Sequence, residues 1–234
     1  MTFTLVEFDE IGSTNDWLAT LDGAADGLWV RATRQSGGRG RRGRAWSSLD
    51  GNLFISVLTR PQAGEGPSQQ LSFVAAVALD RALQHWVPAE HLALKWPNDL
   101  LLGGTKVSGI LLEGSDGATI IGFGVNLVEH PADTERPATS LVAQGYAAPS
   151  AHDLAVALME AFDATRKAWR DYGFEAIRNA WLARASGLGA PLVARLGSET
   201  LTGTFDGLDA DGALRLRFDD DSSRAIHAGE VFQL

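Results

Sequence analysis

Arginine and glycine alternate from Gly38 to Arg44, in the order Gly-Arg-Gly-Arg-Arg-Gly-Arg, and Trp46 follows shortly after. Each glycine would cost a helix about 1 kcal/mol relative to alanine, and buried guanidinium groups would need partners, so the segment predicts a loop. Glycine lets a backbone approach a ligand closely, and arginine offers paired donors to carboxylate and phosphate oxygens. Three uses of this Arg–Gly loop are open: a solvated surface loop, a nucleic-acid contact, or a site for a small anion.

The distribution of charge favours the small anion. The 234-residue chain has a formal net charge of −9; residues 1–60 contain seven basic and seven acidic side chains, and the remainder contains 13 basic and 22 acidic ones. Nucleic-acid-binding domains usually present a basic face. Cations concentrated in one loop of an acidic chain therefore favour one localised anion, and we expect no DNA binding.

A second chemical group lies in the middle of the chain, where two of the three lysines occur. Lys95 begins the run Lys-Trp-Pro-Asn-Asp, which ends at Asp99, and Lys106 follows after a pair of glycines. A lysine ammonium is a compact point charge, and a nearby carboxylate can serve as a base or as a Mg²⁺ ligand. The alternatives are an ordinary surface lysine and a turn residue after Pro97.

Neutral polar residues form a third group. Ser13, Thr14 and Asn15 precede the apolar run that begins at Trp17, which predicts a helix N-cap. Hydroxyl and amide groups at a helix start can equally bind a neutral polar ligand, so both interpretations are open. Gln35 ends a predicted strand directly before the Arg–Gly loop.

Strands and helices of mixed order must position these three groups. Apolar and β-branched runs predict strands at 3–8, 28–33, 52–58, 92–96, 107–113 and 120–127. Helices are predicted after Ser13 and at 71–86, 152–171 and 174–185, with an exposed, proline-rich loop at 130–139. From residue 192 onward, short alternating strands separated by glycine turns predict a small β-barrel, so the chain as a whole indicates an α+β fold.

Composition excludes several classes of protein. The chain contains no cysteine, which excludes disulfides, catalytic thiols and thiolate metal sites and is compatible with a reducing cytoplasm. No run of 18 apolar residues predicts a membrane span, and residues 1–10 do not resemble a signal peptide. We therefore expect a cytoplasmic protein without membrane contact.

The segments above stand in an order that resembles the bacterial biotin protein ligases. The matching segments are Ser13-Thr14-Asn15, Gln35 with 38–46, 95–99, 106–113 and 122–127, so the resemblance covers essentially the whole chain. The first segment is weak alone, whereas the Arg–Gly loop and the Lys-Trp-Pro-Asn-Asp run are strong. Some members carry a helix-turn-helix domain before the Ser-Thr-Asn segment. Only a dozen residues precede Ser13 here, so we expect no such domain and no transcriptional repression.

The resemblance implies a fold and a reaction. The fold is a class II synthetase-like catalytic core, a mixed β-sheet flanked by helices at 1–187, followed by an SH3-like β-barrel at 188–234. The reaction uses ATP and Mg²⁺ to convert biotin to biotinyl-5′-AMP, and then attaches biotin to a lysine of a biotin carboxyl carrier protein. Homodimerisation through sheet edges is a further hypothesis. The alternatives are a lipoate or octanoate ligase or transferase of the same fold, and a non-catalytic nucleic-acid-binding module.

The resemblance also implies roles for individual residues. Biotin binding is expected of Ser13, Thr14, Asn15, Gln35, Gly38, Arg39, Gly40, Arg41 and Lys106. ATP binding is expected of Arg39, Arg41, Arg44, Trp46, Lys106 and Asn126, with Trp46 stacked on adenine and Asn126 at its edge. The apolar slot is expected to contain Trp96 and Leu111.

The resemblance implies that three residues are catalytic. Lys106 would bridge the biotin carboxylate and the α-phosphate, and Arg41 would offset the repulsion between these anions. Asp99 would orient or deprotonate the carrier lysine, or bind Mg²⁺.

Overall fold

The computed structural model describes residues 3–132, 134, 137–197 and 199–233. Its larger sheet has seven strands: β1 (Thr4–Ile11), β2 (Leu28–Gln35), β3 (Leu53–Thr59), β4 (Leu92–Lys95), β5 (Asp99–Leu102), β6 (Thr105–Ser115) and β7 (Ala118–Val125). Their order across the sheet is β1-β2-β3-β7-β6-β5-β4. β1 and β2 are parallel, and the other neighbouring pairs are antiparallel, so the sheet is mixed as predicted.

The main core lies on one face of this sheet, beneath the helices α2 (Leu71–Leu83), α3 (Ala151–Tyr172) and α4 (Phe174–Leu182). The helix α2 is buried over nearly its whole length because its residues are apolar on all sides. The helix α3 is amphipathic and begins after Ser150, whose hydroxyl accepts from the Asp153 N–H. These helices fix the central strands rigidly from behind.

The opposite face of the sheet carries the short helix α1 (Thr14–Ala19). Side chains alternate between the two faces of a strand, so Phe54, Ser56 and Leu58 point away from the main core. Leu58 packs with Leu18 of α1 and Val30 of β2 in a second, smaller cluster. On this face, the middle of β3, β6 and β7 lies opposite the start of α1 and the Arg–Gly loop.

Five antiparallel strands form the C-terminal sheet: β8 (Pro191–Leu196), β9 (Glu199–Leu208), β10 (Leu214–Arg217), β11 (Ser223–Ile226) and β12 (Glu230–Gln233). Their order is β11-β10-β9-β8-β12, which is consistent with an SH3-like fold. The predicted turn at 197–198 includes one residue outside the described part of the chain. Trp96 joins the two sheets, because its indole N–H donates to the Gly212 carbonyl over 3.3 Å.

Two helix ends and one strand differ from the sequence-based predictions. The helices α2 and α4 end at Leu83 and Leu182 and not at residues 86 and 185. The strand β5 was not predicted, because its four residues directly follow a proline turn and resemble part of that turn. All four are buried, since β5 pairs with both β4 and β6. Among the described residues, no helix is long and apolar enough to cross a membrane.

The loop at 130–139 was predicted to be exposed, and this is wrong at its end. Thr139 is buried because its N–H donates to the Lys106 carbonyl over 2.8 Å and its own carbonyl accepts from the Asn126 side chain over 3.0 Å. Residues 133, 135 and 136 lie outside the described part of the chain. This contact attaches the loop to the start of β6, beside Lys106.

Candidate active site

A cavity of about 280 Å³ opens on the α1 face of the large sheet. Its wall combines the start of α1, the end of β2, the Arg–Gly loop, the β4–β5 turn and strands β6 and β7. The structure brings most of the predicted site residues together in this wall: Ser13, Thr14, Asn15, Gln35, Arg39, Gly40, Arg41, Arg44, Trp46, Asp99, Lys106, Leu111 and Asn126.

Neutral side chains form one end of the cavity, which we call the polar end (Ser13, Thr14, Asn15 and Gln35). The Ser13 hydroxyl accepts from the Asp16 N–H over 3.3 Å, so the predicted N-cap is confirmed. The Thr14 N–H donates to Gln35 Oε1 over 2.8 Å. Asn15 is buried, and a Cβ atom on Gly122 would lie 2.4 Å from its Oδ1 atom. Only glycine therefore leaves room for α1 to approach the sheet this closely.

Arg39 lies at the polar end and is paired with two carboxylates. Its guanidinium donates to both carboxylate oxygens of Asp16, over 2.6 and 2.5 Å, and to Glu113 over 3.0 Å. These contacts lower the pKa of Asp16 and raise that of Arg39. Arg39 lines the cavity, and its guanidinium connects the loop to α1 and β6; its expected contact with a ligand carboxylate or phosphate stays a prediction.

Charged and aromatic residues form the other end, which we call the cationic end (Arg41, Trp46, Asp99 and Lys106). Lys106 Nζ lies 2.6 Å from Asp99 Oδ1 and 5.6 Å from the centre of a Trp46 ring, within cation–π range. Asp99 is buried, whereas the Lys106 side chain is 30% exposed. Both groups line the cavity, and the ammonium is the more exposed of the two.

Arg41 is oriented by Asn98. Its Nη1 group donates to Asn98 Oδ1 over 3.3 Å, and Asn98 is in turn fixed to β6, because its amide donates to the Ile110 carbonyl over 2.6 Å. The Ile110 N–H donates back to the Asn98 carbonyl over 3.0 Å. The turn between β4 and β5 thus carries the support for an arginine from a distant loop.

Trp46 covers the strands at the cationic end. A Cβ atom on Gly124 would lie 2.4 Å from its ring, and one on Gly109 would lie 3.0 Å away, so both glycines permit this contact. The indole nitrogen is buried and has no hydrogen-bond partner within the described residues. Asn126 lies nearby, but its amide donates to the Thr139 carbonyl, so it supports the loop at 137–139.

The C-terminal sheet reaches this end of the cavity through Gly229 and Glu230. The Glu230 carboxylate lies 2.9 Å from Arg44 and 3.5 Å from Arg42, two neighbours on the Arg–Gly loop. Arg42 has a positive φ of 58° and does not line the cavity. The loop is therefore held at both of its ends, by Arg39 on α1 and by Arg44 on β12. Within the described residues, no group of three or more histidine, aspartate or glutamate side chains is arranged to hold a metal ion.

Comparisons with known proteins agree with this geometry. A family model described as the biotin/lipoate A/B protein ligase family matches residues 7–126, and one described as the biotin protein ligase C-terminal domain matches residues 187–233. The biotin–[acetyl-CoA-carboxylase] ligase of Paracoccus denitrificans is 43% identical over 94% of this chain and 96% of its own length. That of Mycobacterium tuberculosis is 32% identical over 96% and 87%. The chain belongs to the biotin protein ligase family.

A solved structure supports the same assignment. Biotin protein ligase from Aquifex aeolicus in complex with biotin and ATP superimposes with a TM-score of 0.86 over 99% of both chains, at 25% identity. The fold expected from the resemblance, a mixed sheet with flanking helices and a C-terminal antiparallel sheet, is therefore confirmed.

Two predicted contacts of this biotin ligase family member lie elsewhere. Trp96 does not line the cavity; it is 4% exposed and packs at the seam between the two sheets, so that prediction is wrong. Gly38 lies behind the wall, where a Cβ atom would be 3.1 Å from both Gln35 Nε2 and the Trp46 carbonyl. Its backbone makes the loop compact, because its carbonyl accepts from the Trp46 N–H over 2.9 Å.

Sequence reasoning missed four residues that shape the site: Ser56, Asn98, Glu113 and Glu230. Asn98 and Glu113 lie inside segments that carried the resemblance, so their positions were a usable signal. Ser56 is a hydroxyl in the middle of a buried and otherwise mostly apolar strand, which is also a readable signal. Glu230 comes from the second sheet, and nothing in the local sequence indicates that it reaches the cavity.

Proposed function

We propose that this chain activates biotin with ATP and transfers the biotinyl group to a lysine of a biotin carboxyl carrier protein. The observation that carries the proposal is one cavity with a neutral, hydrogen-bonding end and a cationic end. A ligand with an uncharged cyclic urea and a carboxylate on an apolar tail requires both ends. The ligase relatives described above, including the one that binds biotin and ATP, support the same reaction.

Substrate binding follows from the two ends. The ureido group would contact Thr14 and Gln35 at the polar end, and the apolar tail would cross Leu111 toward Lys106. The adenine ring would lie against Trp46, which lines the cationic end. The triphosphate would then lie near Arg41 and Arg44.

The first step joins two anions. A carboxylate oxygen of biotin attacks the α-phosphorus of ATP, the bond to the pyrophosphate oxygen breaks, and biotinyl-5′-AMP and pyrophosphate form. Arg41 and Lys106 offset the charge repulsion, and their supports, Asn98 and Asp99, fix both cations before the reaction begins. A compact ammonium suits the bridging position between carboxylate and phosphate.

The second step needs a neutral amine. The carrier lysine attacks the acyl carbon, AMP leaves, and the amine loses a proton. We propose that Asp99 orients the amine of the carrier lysine or accepts its proton, since Asp99 is a buried carboxylate in the cavity wall.

Mg²⁺ would arrive with ATP, and Asp99 is also a suitable ligand for it, because one carboxylate together with substrate phosphates is a usual Mg²⁺ set. The ion would neutralise phosphate charge.

Homodimerisation, a cytoplasmic location and the absence of DNA binding stay predictions from the sequence, as do the domain limits at 187 and 188.

Exchange of labelled pyrophosphate into ATP tests the proposal. We expect exchange with biotin and none with lipoate or octanoate. Lys106→Met should lower the rate about 100-fold or more, because removal of one preorganised charge donor typically costs this much. Lys167→Met is the matched control, since Lys167 lies on the exposed side of α3 and pairs with Asp171. Exchange with lipoate instead would overturn the substrate, and no exchange by folded protein with any of the three acids would overturn the activity.

A further inference from the structure

Ser56 is a polar residue where the strand would otherwise be apolar. It lies in the middle of β3, is fully buried, and has Phe54 and Leu58 as its neighbours on the same face. A buried hydroxyl is unfavourable unless it is hydrogen-bonded. Here the Ser56 hydroxyl lies 2.6 Å from Asn15 Oδ1 and 2.7 Å from Thr14 Oγ1. It therefore lies directly behind the polar end of the cavity without lining it.

Glu113 determines the direction of the hydrogen bonds that join Asn15, Ser56 and Thr14 behind the polar end. Its carboxylate can only accept, and it accepts from Asn15 Nδ2 over 2.7 Å. The amide oxygen of Asn15 must then face Ser56 and accept its proton. Since a serine hydroxyl has one proton, the short contact between Ser56 and Thr14 requires Thr14 to donate.

This order of donors determines which hydrogen-bond donors and acceptors the cavity wall offers to a ligand. Thr14 also lies 3.0 Å from Gln35 Oε1, but its single proton is turned toward Ser56, which is closer, so Thr14 offers oxygen lone pairs at the polar end. Gln35 offers the opposite, because its Oε1 atom accepts from the Thr14 N–H and its Nε2 group is left as the donor. A cyclic urea has N–H donors beside a carbonyl acceptor, which is the complementary pattern.

We propose that Ser56 and Glu113 are positioning residues that select the ligand, because the relay Glu113–Asn15–Ser56–Thr14 holds the Thr14 hydroxyl as an acceptor. The inference rests on the proposed function and deepens it, since it names residues that determine recognition of the ureido group. Without Ser56, Gln35 Oε1 at 3.0 Å is the remaining acceptor for the Thr14 proton among the described residues. The Thr14 hydroxyl would then rotate, and its lone pairs would no longer point to the ligand.

The test is steady-state pyrophosphate exchange by the full chain carrying Ser56→Ala. We expect the KM for biotin to rise roughly tenfold, while kcat and the KM for ATP stay within twofold. A contact to a part of the ligand that does not react contributes equally to ground state and transition state, so its loss appears in KM. Ser56→Cys retains a weak donor at similar size and should restore part of the affinity.

Thr59→Val is the matched control. Thr59 lies on the same strand, is also buried, and donates to the Thr119 carbonyl over 2.9 Å, far from the polar end. It should lower the thermal unfolding midpoint about as much as Ser56→Ala does and leave the KM for biotin unchanged. An equal rise in KM in both variants would mean that general loosening of β3 is responsible, and would overturn the relay.

A double-mutant cycle tests whether the two positioning residues act as one unit. Glu113→Gln supplies an amide that can also donate, so Asn15 is free to turn over. If the relay exists, Glu113→Gln combined with Ser56→Ala should weaken biotin binding no more than the stronger single variant. Additive effects would overturn it.

Calorimetric binding of biotin and of biotin methylated on a ureido nitrogen provides a readout that is independent of turnover. The preference of the wild-type protein for biotin should shrink several-fold in Ser56→Ala, since the acceptor that recognises the N–H group has turned. An unchanged preference overturns the relay alone. A wild-type protein that neither binds biotin nor exchanges pyrophosphate with it overturns the proposed function and the relay together.

Discussion

The two ends of the cavity differ in how their side chains are buried and held in place. At the polar end, Thr14, Asn15 and Ser56 are buried and hydrogen-bonded to one another, to Gln35 and to Glu113. At the cationic end, the cations are partly exposed, and the buried Trp46 Nε1 atom has no hydrogen bond within the described residues. One end is held by buried hydrogen bonds, and the other is held mainly by ion pairs of partly exposed side chains.

The difference corresponds to the chemistry proposed for each end. A neutral ureido group changes little during the reaction, so a rigid, buried pattern can recognise it at small entropic cost. A triphosphate brings several charges, and its partners must be long side chains on a loop that can adjust and close. The Asp99–Lys106 ion pair, at 2.6 Å, shows the same division, because its carboxylate is buried and its ammonium is partly exposed.

The strongest test of the comparison removes one charge at the cationic end. Arg41→Ala should lower kcat/KM for pyrophosphate exchange about 100-fold or more, because Arg41 faces the cavity and Asn98 holds it there. Arg42→Ala removes the same charge from the same loop, but Arg42 does not line the cavity. We expect less than a threefold change for it, measured by the same exchange assay. Similar losses in the two variants would mean that the total charge of the loop matters and not its geometry.

The next test separates the two half-reactions. Asp99→Asn keeps the size of the side chain and removes its charge. We expect transfer of biotin from preformed biotinyl-5′-AMP to a carrier domain to fall about 100-fold, a usual contribution of a positioned base, and exchange to fall less than tenfold. Single-turnover transfer and pyrophosphate exchange measure the two quantities. Equal losses in both would assign Asp99 to the first step, as the support of Lys106 or as a ligand of the metal that accompanies ATP.

Much of this architecture could be predicted from the sequence because local patterns determine it. Ser13 before an apolar run predicted the N-cap, and the helix α3 was predicted within a residue at each end, since its amphipathic pattern and Gly173 define it. Gly122 and Gly124 lie inside a strand, where a glycine often marks a close approach to the backbone. The structure shows what approaches: Asn15 at one glycine and Trp46 at the other.

The remainder depends on contacts between distant segments. Trp96 was expected in the cavity because it belongs to the Lys-Trp-Pro-Asn-Asp run that carries the resemblance, but packing against the second sheet places its ring at the seam. Arg39 was expected to contact an anionic ligand, and only the fold reveals that Asp16 and Glu113 already occupy its donors. A loop sequence indicates which charges are available, whereas the partners of those charges are set by tertiary structure.

The smallest expected effect concerns the exposed part of the polar end. Asp16→Asn removes one of the two carboxylates that hold Arg39, and we expect a loss of less than about 1 kcal/mol in the free energy of unfolding at neutral pH, because both side chains are partly exposed. Arg39 lowers the pKa of Asp16 below its usual value of 3.8. The contribution is therefore present above that pH and is lost as the pH falls through the lowered pKa.

Urea unfolding of Asp16→Asn and wild type, repeated from pH 7 downward, measures this difference, and it should shrink toward zero in acid. The KM for biotin at pH 7 should change less than twofold, because the buried relay behind Thr14 does not include Asp16. A large rise in KM would break the comparison between the two ends. It would mean that the polar end, like the cationic end, depends on an exposed ion pair to position the Arg–Gly loop, and that its buried hydrogen bonds are insufficient alone.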